Sequence, residues 1–375
     1  MVINNVYIDI KNDLIVCSTD AGITLYSLTS LELGKIREYK IIEGCRLCRL
    51  IKTNSKNASN IMSAVYLPKS KDTTFCILDL TLPTYINNNN NNQTQQDDFN
   101  DNVGSNDYQN DTPVTKNYVT GRFDLGRTIY NIHLTTDKII IVHDREIFVI
   151  GKTSYSTINI ISTHLNTTNG LALVSSKEDY LIYTLGTRCG EVVKVTPNTN
   201  DHTSFKCHDH EIQCIATDDN ENYLATASVS GTIIKVYDLV SGNEIFAFRR
   251  GTTSATIWDI AISEDLKWLA CCSYSTRGTV HIFKLDATNN KVENGKTFFN
   301  RMFEDYTTAY FSKDSIVNAT WSAVQHNLNS TIYHTCRFDK AGNLHIVSLD
   351  GKHFKVLANY DYKRMTEGKN LCVVG

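Results

Sequence analysis

One unit recurs along this chain. A polar turn leads to an apolar strand-like run and a Ser or Thr; a tight turn with Gly then opens a second apolar run. It runs from Asp9–Ser18 into Gly22–Tyr26, from Asn222–Ser228 into Gly231–Asp238, and from Lys267–Ser273 into Gly278–Phe283. Weaker copies end at Gly190–Val195 and Gly351–Val356. Each copy reads as a β-hairpin whose runs are too short to bury both faces alone, so copies must stack. Gly190 and Gly231 are 41 residues apart and Gly231 and Gly278 are 47 apart, which brackets the period of a four-stranded propeller blade. Helical periodicity is nearly absent and there are only 4 prolines. At roughly 45 to 50 residues per unit the chain makes about seven blades. The expectation is an all-β protein, a seven-bladed β-propeller of WD-repeat type formed by residues 1–375 as one domain.

Two stretches break the period. Residues 87–112 begin with an asparagine run, Asn87–Asn92, and hold too little apolar surface to order themselves, so they read as a disordered Asn/Gln/Asp-rich insertion in blade 2. Loop-closure entropy grows slowly with length, so a blade tolerates such an insertion. Residues 286–311 follow the strand Val280–Phe283 and read as an extended blade 6 loop. Phe298, Phe299, Met302 and Phe303 fall on one face of a short helix there, with Lys296 and Arg301 nearby. That patch suits insertion into the interfacial layer of a bilayer; packing on its own blade is the competing reading.

Composition removes several classes of function. No apolar run is long enough to span a bilayer and Met1–Asn5 lacks the features of a secretion signal, so the chain is expected to be cytoplasmic, meeting membranes from outside. The 11 cysteines are an odd number scattered in strand-like runs, as thiols of a β core would be. Cys45 and Cys48 form a lone C-x-x-C with no partner pair at zinc spacing, so no metal and no cofactor are expected. No nucleophile elbow, paired-carboxylate pattern or phosphate loop opening a helix is present, which argues against an enzyme. The formal net charge is −3, but residues 87–112 carry five acids and no Lys or Arg, leaving the remainder mildly basic. An anion site on such a chain is local rather than a broad field.

The stretch that most resembles such a site is Phe248-Arg249-Arg250-Gly251, closing the run Ile245–Phe248. Successive side chains on an extended backbone point to opposite sides, so neighbouring arginines serve two sites more readily than one. With Leu224–Ser228 and Gly231-Thr232 before it, Gly278–Phe283 after it, and Thr163–Leu171 upstream, the chain resembles the PROPPIN family, WIPI-like β-propellers that bind polyphosphoinositides in autophagy. The resemblance is strong from about Ile139 to Phe283.

It implies two phosphoinositide pockets on the rim of blades 5 and 6. Site 1 would be His208, Ser228, Thr232, Lys235 and Arg249; site 2 would be Arg250, Ser273, Thr279 and His281. Guanidinium forks, hydroxyls and imidazole N–H groups suit a phosphomonoester. Lys235 stands where the family usually has Arg, and the turn Ser273–Arg277 is lengthened, leaving Ser273 and Ser275 as alternatives. The implied ligands are phosphatidylinositol 3-phosphate and phosphatidylinositol 3,5-bisphosphate on pre-autophagosomal, endosomal and vacuolar membranes. The implied partners are autophagy proteins, a lipid-transfer protein or a conjugation scaffold, recruited by a monomer with no role for nucleic acid. Protonation of His208 and His281 is expected to strengthen binding from pH 7.5 to 6. A WD-type scaffold that binds only proteins is the alternative.

Overall fold

The computed structural model describes residues 2–10, 13–28, 35–50, 63–79, 119–135, 137–167, 170–175, 182–196, 201–218, 220–285, 320–367 and 371. Seven antiparallel sheets follow one another along the chain. Blade 1 is β1 (Ile3–Asp9), β2 (Leu14–Thr19), β3 (Gly22–Ser27) and β4 (Lys35–Lys40). Blade 2 is β5 (Cys45–Leu50), β6 (Ser63–Pro68), β7 (Thr74–Asp79) and β8 (Val119–Asp124). Blade 3 is β9 (Asn131–Leu134), β10 (Lys138–Val142), β11 (Glu146–Gly151) and β12 (Thr157–Ser162). Blade 4 is β13 (Ala172–Val174), β14 (Ile182–Leu185), β15 (Glu191–Thr196) and β16 (Asp201–Lys206). Blade 5 is β17 (Ile212–Thr217), β18 (Tyr223–Ser228), β19 (Ile233–Asp238) and β20 (Glu244–Arg249). Blade 6 takes β21 (Thr256–Ile262), β22 (Trp268–Tyr274) and β23 (Gly278–Lys284). The two-residue β24 (Thr320–Trp321) then adds to blade 5 in parallel with β20 before β25 (Val324–Asn327) completes blade 6. Blade 7 is β26 (His334–Phe338), β27 (Leu344–Ser348), β28 (His353–Val356) and β29 (Met365–Glu367).

The fold is the seven-bladed propeller expected from the period. Its core is not one central cluster. Each buried cluster draws on two neighbouring blades, one cluster per seam. Phe248 and Phe283 meet across the 5–6 seam with ring centroids 4.9 Å apart, and each fully buried ring of this kind contributes about 2 to 3 kcal/mol. The seam between blades 7 and 1 closes by side chains such as Ile3, Ile8, Cys17 and Val347, because all four strands of each flanking blade are consecutive in the chain.

The repeated glycine has a steric cause. Gly231 has φ +59°, and a Cβ there would lie 1.8 Å from the Ala255 carbonyl oxygen, on the connection leading to the next blade. Gly190 repeats this against the His208 carbonyl oxygen at φ +71°. The hairpin turn is held against the next connection too closely for any side chain, and the backbone conformation favours glycine as well. The two period-breaking stretches, 87–112 and 286–311, with Phe298, Phe299, Met302 and Phe303, lie outside the described residues.

Candidate functional site

The turn between β18 and β19 and the end of β20 lie at one end of blade 5, which brings Ser228, Thr232 and the arginine pair together. Register fixes the faces. Arg249 pairs with Ile233 and Lys235 with Thr226, so these four side chains share one face of the sheet. Phe248 pairs with Ile234 on the other face, which packs on blade 6. Arg250, beyond the strand end, goes the same way: its charge acts on His281 and Cys271 of blade 6. The arginines therefore diverge, Arg249 toward the blade 4–5 cleft and Arg250 toward the blade 5–6 cleft.

In the first cleft His208 Nε2 lies 3.0 Å from Thr226 Oγ1, and the Ser228 and Ser230 hydroxyls are 2.9 Å apart. Lys235 acts electrostatically on His208. Its ammonium is also 2.9 Å from Glu244 Oε2 on the neighbouring strand, so a carboxylate competes for it. Thr232 is buried, and its carbonyl accepts the Arg250 N–H at 2.9 Å.

The second cleft is more tightly built. Arg250 Nε donates to the Gly231 carbonyl at 2.7 Å and Nη2 donates to the Thr253 carbonyl, so the guanidinium is aimed by backbone. Among the described residues no carboxylate pairs with it. Burial alone draws its pKa down, as it does for Arg249. A continuous polar chain faces it: Ser273 Oγ is 3.0 Å from Thr279 Oγ1, which is 3.2 Å from His281 Nε2, and His281 Nδ1 is 3.3 Å from Ser322 Oγ. Ser273 is buried within this chain while Ser275 is exposed, so Ser273 is the one that faces the cleft. Ser322 escapes sequence reading. It follows β24, beyond a long stretch with no repeat signal, and is set in place only by the chain's crossover from blade 5 to blade 6.

The histidines require a correction. Burial first, then the nearby cation, lowers the pKa of His208 and of His281 to about 4; the cations are Lys235 and Arg250 respectively. Both rings are neutral between pH 7.5 and 6, so the expected protonation over that range does not occur.

The upstream motif also has a structural role. Asn166 staples its own loop, with Oδ1 accepting from Leu171 N at 2.7 Å and Nδ2 donating to the Leu171 carbonyl at 2.9 Å. A pocket between blades 4 and 5, lined by Asn166, Arg188, Glu191, Glu211 and Gln213, is separate from both arginines.

Fold and site together define a seven-bladed propeller with diverging arginines at the end of one outer blade strand. The PROPPIN family model matches residues 114–355, and the chain belongs to that family. Autophagy-related protein 18e of Arabidopsis thaliana is 27% identical over 237 residues, covering 60% of this chain and 63% of that one. WD repeat domain phosphoinositide-interacting protein 2 of Mus musculus is 28% identical over 234 residues, covering 60% of this chain and 50% of that one. The matches thus span about half to under two thirds of these relatives' lengths. The structure of Kluyveromyces lactis Hsv2 superposes with a TM-score of 0.67 at 16% identity over 100% of both chains, a likeness of fold.

Proposed function

We propose that this protein is a peripheral-membrane effector that binds phosphatidylinositol 3-phosphate and phosphatidylinositol 3,5-bisphosphate through the two clefts beside Arg249 and Arg250, and brings autophagy proteins to those membranes. The observation that carries the reading is Arg250. A guanidinium aimed by two carbonyls, paired with no carboxylate among the described residues and facing three hydroxyls and a neutral imidazole, suits a phosphomonoester. Family membership and the name of the mouse relative support the ligand class.

Site 2 is the tighter of the two, because Lys235 in site 1 is shared with Glu244. Two weak sites on one bilayer raise each other's effective concentration, and avidity adds roughly 10²-fold or more. Phe298, Phe299, Met302 and Phe303 form a third, hydrophobic anchor. The test is flotation on liposomes carrying each phosphoinositide in turn, wild type beside the Arg249→Thr, Arg250→Thr double variant. Loss of binding confined to 3-phosphorylated lipids supports the reading. Unchanged binding makes the protein a scaffold that meets only proteins.

A further inference from the structure

The innermost strands β1, β5, β9, β13, β17, β21 and β26 contact one another in sequence and close a ring around the propeller axis. Side chains from three other blades converge on one guanidinium there, that of Arg49 on β5 of blade 2. Its Nη1 donates to the Cys48 carbonyl at 2.9 Å and approaches Asn5 Oδ1 of blade 1 at 3.5 Å, and its Nη2 donates to Asn131 Oδ1 of blade 3 at 3.3 Å. The group lies 4.8 Å from the centre of the Tyr7 ring. From blade 7, Arg337 and Tyr333 act on its charge, Arg337 unfavourably.

No carboxylate pairs with Arg49 among the described residues, and none is among the groups that act on it most strongly. The nearby carboxylate is already engaged. One oxygen of Asp259 accepts from Arg337 Nη1 at 2.7 Å, Thr335 Oγ1 at 2.6 Å and Cys336 N at 3.1 Å. Asp9, further along β1, acts on Tyr7 and has partners of its own. Arg49 is half-buried, and a cation partly removed from water with no adjacent counter-charge is costly.

A second observation is independent of charge. The side chain of His133 on β9 makes no hydrogen bond to any described residue, and its Nε2 is buried without a partner. Its pKa is lowered to about 3 by burial and by Arg49, so the ring is neutral and offers one N–H. Tyr7 accepts from Leu50 N at 3.0 Å, which leaves its own O–H proton to donate. The axis thus gathers guanidinium, imidazole and phenol donors, and among the described residues no carboxylate hydrogen-bonds to any of the three.

We propose that Arg49, with His133 and Tyr7, binds a compact inorganic oxyanion, phosphate or sulfate, on the propeller axis. A tetrahedral oxyanion offers the guanidinium two oxygens and has others left for the ring and hydroxyl donors. The site lies on the inner strands, not on the outer strand that carries Arg249 and Arg250, and it acts as a structural counter-charge.

The experiment is thermal unfolding of the full chain while inorganic phosphate replaces chloride at constant ionic strength. At saturation the melting temperature rises by about 2 °C or more. The rise persists in the Arg249→Thr, Arg250→Thr variant, which removes the outer arginines. It vanishes when Asn5→Asp is added to that variant, which sets a carboxylate beside Arg49 and melts without phosphate at or above the temperature of the outer-arginine variant. His133→Phe weakens the phosphate response about tenfold in midpoint. No rise in the wild type, an undiminished rise when Asn5→Asp is added to the outer-arginine variant, or loss of the rise in the outer-arginine variant itself overturns the proposal.

Discussion

His281 should make the fold acid-sensitive by an amount the structure sets. The ring is 3% exposed, and burial together with Arg250 lowers its pKa to about 4. In the unfolded chain it titrates near about 6.5. The folded state therefore sheds the proton that the unfolded state takes up. The stability this group contributes is complete above pH ~6.5 and is lost as pH falls toward ~4. Linkage gives a loss of about 0.7 kcal/mol from pH 7 to 6 and about 2 kcal/mol by pH 5, approaching about 3 kcal/mol at the acid limit. His208, His133 and His353 shift the same way, so the wild-type slope alone does not isolate His281. His281→Gln does, since an amide keeps hydrogen bonds to Thr279 and Ser322 without titrating. Urea unfolding at pH 7, 6 and 5 should show the wild type losing about 2 kcal/mol more than the variant between the extremes. Parallel pH profiles would refute the assignment of a neutral, buried imidazole at this position. Liposome binding should also stay level from pH 7.5 to 6, because neither cleft histidine changes charge in that range.

Gly231→Ala places a methyl 1.8 Å from the Ala255 oxygen at a positive φ, and should cost about 2 to 4 kcal/mol in urea unfolding, with loss of binding at both clefts. Glu244→Gln releases Lys235 from its ion pair; in vesicle titration it should tighten binding a fewfold, and should do nothing in an Arg249→Thr background if Lys235 and Arg249 hold the same head group. Asp259→Asn leaves the part-exposed Arg337 charged beside Arg49 and should cost about 1 to 3 kcal/mol at neutral pH, with phosphate recovering part of the loss in a melting assay.

The blade count and the arginine pair could be read before any coordinates because each rests on local geometry. Gly190 and Gly231 mark turns that touch the next connection, so their spacing is the spacing of blades. Arg249 and Arg250 diverge because alternation along a strand is a property of the backbone. What stayed hidden depends on partners distant in sequence. Glu244 meets Lys235 across two adjacent strands, an ordinary placement that no motif announces. Ser322 reaches His281 only because β24 joins blade 5 before the chain enters blade 6. The histidine charge state is not legible in the sequence because it is set by burial, which sequence reveals poorly.

The crossover at β24 gives the ring unequal joints. Between blades 5 and 6 the main chain itself is the strap: Thr320 and Trp321 bond to β20, and Ala323 N then donates to the Ile282 carbonyl of β23 at 2.8 Å. Between blades 7 and 1, among the described residues, side chains alone hold the two sheets face to face. The propeller behaves like a split washer with its cut between blades 7 and 1 and a rivet two seams away, between blades 5 and 6. The rivet sits at the cleft beside Arg250, whereas among the described residues no such strap crosses the cleft beside Arg249, so the two clefts are held with unequal firmness.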